Sequence, residues 1–302
     1  FLSLLAGNTT IIRVSQKESP QLTILINLFI KLHNTRKYEA SSRFIICTYA
    51  HGDDATKVIS ERCNLRLIWG ADDTTSLVSA VPLNPTALEL RFPNRSSFSV
   101  INLQALKDLD YKALSSLAKS FYSDIKMFGQ QACSSPMAVF FVGGKSFYKE
   151  SDRFWSMVKE FSAKEKTEAP QIMNRIVSTA SMATSDSINK IVNPVREDNI
   201  MLLSGNLNSH KTFRNEHFGD GLIVQYFISS IHKLPEYIHD KDQTLSVFGF
   251  HQDDILKFIS SIKNRGVDRI VPIGQALEFS HIWDGYDLID CMCRKIDISK
   301  IN

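Results

Sequence analysis

Short apolar runs rich in β-branched residues alternate along this chain with stretches of helical periodicity, a pattern that a parallel sheet with crossover helices requires. The runs at residues 10–14, 44–48, 65–69 and 87–90 predict strands. Helices are expected over residues 20–33 and 53–62, with a short one after Gly70. Four strands joined by three crossovers predict a nucleotide-binding type of half-domain, because right-handed βαβ units line up loops and helix N-termini along one sheet edge. From Phe98 onward the pattern changes. A strand over residues 97–101 leads into an amphipathic segment, residues 103–128, in which Leu106, Leu109, Leu114, Leu117 and Phe121 recur at helical spacing. A small polar loop, Gly129-Gln-Gln-Ala-Cys133-Ser-Ser-Pro136, separates it from a strand over residues 138–142. Helices over residues 151–163 and 170–181 and strands over residues 222–227, 245–250 and 269–273 complete the pattern, and residues 185–210 read as irregular or edge-like.

Several classes of function are disfavoured at once. Lys+Arg 35 against Asp+Glu 32 gives a net charge of +3 in 302 residues, too balanced for a protein that holds nucleic acid by neutralising phosphates. The most apolar stretch, residues 22–30, is interrupted by Asn27 and falls far short of the ~20 residues of a membrane helix. Five cysteines without paired CxxC spacing suggest neither a disulfide framework nor a zinc ribbon, and a reducing cytoplasm is the expected home. Phe1-Leu-Ser-Leu-Leu-Ala reads as the last turns of a helix stopped at Gly7-Asn8, so the chain is expected to be the C-terminal part of a longer protein.

The motifs that fail are informative. Gly143-Gly-Lys-Ser146 imitates the end of a P-loop, but Val139 stands where the first glycine is needed. The His51-Gly-Asp53-Asp54 and His251-Gln-Asp253-Asp254 clusters each open an expected helix, where Asp caps free amides rather than binding metal. Cys133 has two readings on the loop alone. A thiol among small residues between a helix and a strand is open to a substrate carbonyl and to oxyanion donors, whereas a free Cys is also a common small buried hydrophobe. Cys47 in a strand and Cys63 past a helix read as structural. Glu216, in Phe213-Arg-Asn-Glu216-His-Phe218-Gly219, reads by itself as a charged loop residue before a strand. A carboxylate followed by an aromatic and a glycine also suits ribose hydroxyls and a flat ring.

Five motifs in order resemble the aldehyde dehydrogenase superfamily: Leu5-Ala-Gly-Asn-Thr-Thr-Ile-Ile-Arg13-Val-Ser-Gln16, Trp69-Gly70, Leu88-Glu89-Leu90, the Cys133 loop, and Asn215-Glu216-His-Phe218-Gly219. More narrowly, Arg95-Ser-Ser-Phe-Ser-Val-Ile, Gln131-Ala-Cys133-Ser-Ser-Pro136 and the segment from Gly266 to Leu288 resemble the LuxC-type acyl-CoA reductases. The resemblance implies an α/β, aldehyde-dehydrogenase-like fold. It would comprise a partial Rossmann-type nicotinamide cofactor-binding domain over residues 1–95, a catalytic cysteine domain over residues 96–285 and a tail over residues 286–302.

It further implies that Cys133 is the catalytic cysteine, that Glu216 and Phe218 hold the nicotinamide ribose and ring, and that Gly70 contacts the pyrophosphate. Arg13 and Gln16 match positions near the adenosine ribose. With Gln16 in place of an acidic residue and Lys17 beside it, NADPH is the expected coenzyme. Glu89 matches the general base of hydrolytic members, but the following Gly-Gly is Arg91-Phe92 here, and the family's oxyanion Asn lies upstream of Phe1. The implied reaction is reduction of a long-chain fatty acyl-CoA or acyl-protein thioester to the aldehyde through a cysteine acyl-enzyme. An acyl-protein synthetase or acyl-transferase is an implied partner, and a homo-oligomer is implied for the full-length protein. The alternatives are an NAD(P)-dependent aldehyde dehydrogenase forming the acid, or an inactive binding or scaffold subunit.

Overall fold

The computed structural model describes residues 1–16, 19–35, 43–50, 53–192, 199–210 and 213–300. Lys17 and His51 lie outside them. The chain forms two compact units, one made of Phe1–Asn94 with Ser280–Asn302 and the other of Arg95–Phe279.

The first unit runs α1 (Leu2–Leu5), β1 (Thr10–Arg13), α2 (Pro20–Asn34), β2 (Phe44–Cys47), α3 (Ala55–Arg62), β3 (Leu65–Trp69), α4 (Asp72–Ser79) and β4 (Leu88–Phe92). Strands β1 and β2 pair in parallel, as do β3 and β4. The expected four strands are present, but among the described residues they form two separate two-stranded sheets. Ser19 caps α2, with Pro20 in its first turn where no amide is needed. Asp53 accepts from the Ala55 amide at 2.8 Å ahead of α3, whose N-cap residue Asp54 makes no side-chain cap bond.

In the second unit the strands are β5 (Ser96–Asn102), β6 (Pro136–Val142), β7 (Ile188–Ile191), β8 (Met201–Gly205), β9 (Leu222–Ile228), β10 (Asp242–Phe248) and β11 (Arg269–Pro272). The helices are α5 (Leu103–Lys107), α6 (Tyr111–Lys126), α7 (Tyr148–Ser162), α8 (Ala169–Thr184), α9 (Phe213–Glu216) and α10 (Gln252–Ser261). The strands form one seven-stranded sheet ordered β11-β10-β5-β6-β9-β8-β7, parallel except for β7. Alternation along the strands divides the core into two layers. Phe98, Val100, Phe140 and Val224 face one layer with Phe213, Leu234 and Phe258. Ile101, Val139, Phe141 and Ile223 face the other with Leu114, Phe121 and Phe154. Burial on both faces explains why β6 and β9 read as nearly unbroken apolar runs, whereas β5 buries Ser96, Ser97 and Ser99 among its apolar residues.

Two expectations are corrected here. Residues 103–128 are not one helix, because Asp110 restarts the chain by accepting from the Ala113 amide at 2.7 Å and so caps α6. Residues 185–210 hold the antiparallel edge strand β7 and also β8, an almost fully buried strand. Gly205 ends β8 at a spot where a Cβ would stand 2.2 Å from the Tyr226 ring. After Phe279 come β12 (Ile282–Trp283), β13 (Tyr286–Asp287) and α11 (Leu288–Met292), and this segment belongs to the first unit. The Asn8 side chain donates to the Met292 carbonyl at 2.9 Å, and the Tyr286 ring meets Phe92 edge-on.

The start of β10 is fixed by an ion pair. Arg214 donates through Nε and Nη2 to the two carboxylate oxygens of Asp242, both at 2.7 Å, and the side chains are 3% and 0% exposed. Asp242 also accepts from the Ser96 hydroxyl and the His239 amide, each at 2.7 Å. Removing one member of a buried pair strands the other charge. Asp242→Ala should therefore lower the unfolding free energy of this unit by about 3–5 kcal/mol. Lys126→Ala, which breaks a half-exposed pair with Glu165, should cost less than about 1 kcal/mol. Urea unfolding followed by the fluorescence of buried Trp155 would compare the two.

Candidate active site

After α6 the chain turns sharply: Phe128, Gly129 and Gln130 all adopt left-handed conformations, with φ of 55°, 57° and 62°. For Phe and Gln that geometry costs about 1–3 kcal/mol each and persists only where the surroundings enforce it. Gln130 does the enforcing. Its buried side chain donates to the carbonyls of Pro136 at 2.8 Å and Leu222 at 3.0 Å, and accepts from the Gly221 amide at 2.8 Å. The Asp220 amide donates to the Gly129 carbonyl at 2.9 Å, and the Gln131 side chain donates to the Phe218 carbonyl. These bonds bring the loop around Cys133 beside the loop that carries Glu216 and Phe218.

Cys133 is half-buried and held at two points. The Ser97 hydroxyl donates to its carbonyl at 2.6 Å while accepting from the Thr244 amide at 3.1 Å. The Gln243 side-chain amide donates to its Sγ at 3.3 Å. The loop's far end is tied by Ser135, whose hydroxyl donates to the Asp124 carbonyl at 2.9 Å. The Asp124 carboxylate accepts from the amides of Gly274 at 2.7 Å and Ala276 at 3.2 Å. Burial pushes that carboxyl up to about 6, against the opposing pull of the two amides.

Glu216 closes α9, and its Oε2 accepts from the Ser185 hydroxyl at 2.9 Å. Phe218 is 49% exposed and offers a ring to solvent. Between them His217 is locked as a neutral ring, its Nδ1 accepting from the Gly219 amide at 3.0 Å and its Nε2 donating to the Leu222 carbonyl at 2.6 Å. Burial pulls it down to about 4. Gly219, at φ 82°, has no room for a side chain, because a Cβ would stand 2.7 Å from the Gly129 carbonyl oxygen.

The other candidates belong to the first unit and are described there by themselves. Glu89 is heavily engaged: it accepts from Arg66 at Nε, 2.7 Å, and at Nη2, from the Ser79 hydroxyl at 3.0 Å, and from Arg91. Burial raises its carboxyl, but the bonds from Arg91, Arg66 and Ser79 outweigh that and hold it below the usual carboxylate range. Gly70 lies at the turn from β3 to α4, where a Cβ would press on Thr74 at 3.0 Å, and its amide donates to the Phe92 carbonyl. Arg13 ends β1, donates to the Tyr49 carbonyl at 3.3 Å and lies over the Tyr49 ring. Gln16 is exposed just beyond it.

Sequence reasoning passed over Gln130, Ser97 and Gln243. One signal was available for the last of these, the run Asp242-Gln243-Thr244 opening a buried strand, since polar side chains at buried strand positions need designated partners.

Structures of the same architecture are known. A putative methylmalonate-semialdehyde dehydrogenase from Sinorhizobium meliloti, complexed with NAD, matches at 12% identity with a TM-score of 0.61, over 90% of this chain and 57% of its own. The lactaldehyde dehydrogenase of Escherichia coli matches at 12% identity with a TM-score of 0.61, over 88% of this chain and 56% of its own. A 1-pyrroline-5-carboxylate dehydrogenase of Thermus thermophilus matches at 9% identity with a TM-score of 0.65, over 96% of this chain and 61% of its own. The fold is thus that of the aldehyde dehydrogenases. Within that class, the acyl-CoA reductase (LuxC) family matches residues 1–295, and the chain belongs to it. The long-chain acyl-protein thioester reductase of Aliivibrio fischeri is 21% identical over 283 residues, 90% of this chain and 54% of the relative. The chain therefore spans about half the length of that relative. Among the described residues no helix is long and apolar enough to cross a membrane.

The locked ring of His217 makes a pH signature. Its folded value of about 4 lies below the ordinary 6.5, so its contribution is complete above 6.5 and is lost as pH falls toward 4. The loss amounts to roughly 3 kcal/mol. Asp124 acts in the opposite direction over much of that window, because its raised value favours the folded state at low pH and that contribution fades as pH rises toward 6. His217→Asn keeps Asp124 and removes only the histidine term. Its stability, measured by denaturant unfolding from pH 4.5 to 7, should fall less steeply on acidification than that of the unaltered chain.

Proposed function

We propose that this chain carries the thioester-reducing centre of an acyl-CoA reductase: reduction of a long-chain fatty acyl-CoA or acyl-protein thioester to the aldehyde, with NADPH, through an acyl-enzyme on Cys133. The observation that carries the choice of reaction is the engagement of Glu89. A carboxylate that accepts from Arg66, Ser79 and Arg91 and is held below its usual range is a poor base for activating water. That disfavours oxidation to the acid and suits a route in which no water is consumed.

In this route the Cys133 thiolate attacks the thioester carbonyl and expels coenzyme A or a carrier thiol. The Ser97 bond to the Cys133 carbonyl and the Gln130 bonds behind it keep the loop from following the substrate as the new carbon–sulfur bond forms. A bound nicotinamide coenzyme supplies the hydride that brings the acyl carbon to the aldehyde level. Release of the aldehyde returns Cys133 to the thiolate.

The residues present fit such a coenzyme. Gly70 and Gln16 follow β3 and β1 at their carboxyl ends, where parallel α/β sheets take dinucleotides. Gln16 places no negative charge there, and Arg13 offers a planar cation to a 2′-phosphate. Glu216 and Phe218 are proposed to hold the nicotinamide ribose and ring.

Two experiments test the reading. Incubation with labelled acyl-CoA and no coenzyme should leave a covalent acyl group on Cys133 and none in Cys133→Ala, which should still bind coenzyme. Label on Cys47 or Cys63 would refute the assignment. In the protein kcat/KM should favour NADPH over NADH by about ten-fold, and Gln16→Glu should reverse or abolish that preference. Equal use of the two coenzymes before the change would reject the NADPH assignment.

A further inference from the structure

We propose that Gln243 is a catalytic group, whose side-chain amide holds the sulfur of Cys133 as a thiolate. The inference deepens the reading of Cys133 as the nucleophile and rests on it.

A thiolate accepts hydrogen bonds far better than a thiol, so an N–H aimed at sulfur favours the charged form. The Nε2 group of Gln243 donates to Sγ at 3.3 Å, and the residue is only 1% exposed, so little water screens the bond. The amide is oriented from its other end, because its Oε1 accepts from the Thr244 hydroxyl at 3.3 Å. Its backbone is fixed on both sides. Asp242 is pinned by Arg214, Ser96 and the His239 amide, and the Thr244 amide is pinned by Ser97, the same hydroxyl that holds the Cys133 carbonyl. Ser97 thus ties the backbones of the two residues together and sets the separation between amide and sulfur.

The charged groups on the elements packed against the loop are committed elsewhere. Asp242 pairs with Arg214 and Asp268 with Arg95; Asp124 accepts from Gly274 and Ala276, Asp220 from Asn174, and Glu216 from Ser185. The loop also follows the carboxyl end of α6, whose dipole gives no help to an anion. A neutral amide suits this setting because it stabilises the anion without forming an ion pair that would blunt its attack.

In the step concerned, the thiol proton has passed to solvent and the sulfur electron pair forms the bond to the acyl carbon. The bond from that carbon to the donor sulfur breaks, and the donor leaves as a thiolate that takes a proton from solvent. No oxidation occurs. When the aldehyde is later released, the same amide receives the sulfur back as an anion.

The test is the pH dependence of Cys133 alkylation by iodoacetamide, read by mass spectrometry of the Cys133 peptide, with Cys63 and Cys293 in the same sample as references. In Gln243→Leu the inflection should move up by about one pH unit, an alkylation rate roughly ten-fold lower at neutral pH. In Gln243→Glu it should move further, as a carboxylate opposes the thiolate. An unmoved inflection in a folded variant, or an equal shift at Cys63 and Cys293, would overturn the proposal. Should the variants not fold, the unaltered chain decides. The side-chain amide resonance of Gln243, in isotope-labelled protein, should titrate with the Cys133 inflection, and a resonance indifferent to it would overturn the proposal. Failure of the underlying reading looks different, since acyl label from acyl-CoA would then settle on another residue while the Cys133 inflection still moved.

Discussion

The second unit depends most on the pairing of Arg214 with Asp242. A charge pair that deep adds little net stability relative to an apolar replacement, but it tolerates little change of geometry, since every lone pair and proton must find its partner. Here they do. Arg214 also donates to the carbonyls of His210 and Tyr237, and Asp242 takes the Ser96 hydroxyl and the His239 amide. The pair joins the helix that carries Glu216 to the strand that carries Gln243 and to the strand that carries Ser97. Gln243 and Ser97, which hold Cys133, and Glu216 beside its loop are thus referred to one rigid point.

The loops it organises lie at the amino ends of β5, β6, β9 and β10, whereas open parallel sheets more often bind ligands beyond the carboxyl ends of their strands. The turns that would use that commoner edge are in the first unit, after β1 and β3. At an amino edge the chain arrives from helix carboxyl ends, so backbone dipoles do not favour an anion. Gln243 donates to the Cys133 sulfur from a side chain, and the strained turn at Phe128–Gln130 presents the loop to it.

Much of this was legible in the residues, and for physical reasons. Strands β6 and β9 are buried on both faces, so their sequences are almost wholly apolar and unmistakable. Strand β8 is equally buried, but it is short and ends in Ser204-Gly205, where the side chain had to vanish to admit Tyr226, and that loss erased the β-branched signature. The expected helix over residues 103–128 failed on the three residues Asp108-Leu-Asp110, whose capping chemistry outweighs a continuing apolar stripe. Cys133 drew attention through its small, polar neighbours. Gln243 did not, because one amide in a strand reveals its importance only when the register fixes what lies opposite. The mismatch of Arg91-Phe92 after Glu89 was visible in the residues, but the partners that hold this carboxylate, Arg66 and Ser79, are out of reach of periodicity.

The bonds that shape the cysteine loop are also long in sequence. Gln130 reaches Leu222 across 92 positions, Gln243 reaches Cys133 across 110, and Gly274 reaches Asp124 across 150. A chain emerging from the ribosome therefore carries its thiol for well over a hundred residues before the groups that direct it exist. Until the last strands are made, the loop that carries that sulfur lacks the bonds that shape it. The loop therefore takes its shape only on completion of the sheet, and its geometry waits on the last strands that the chain supplies.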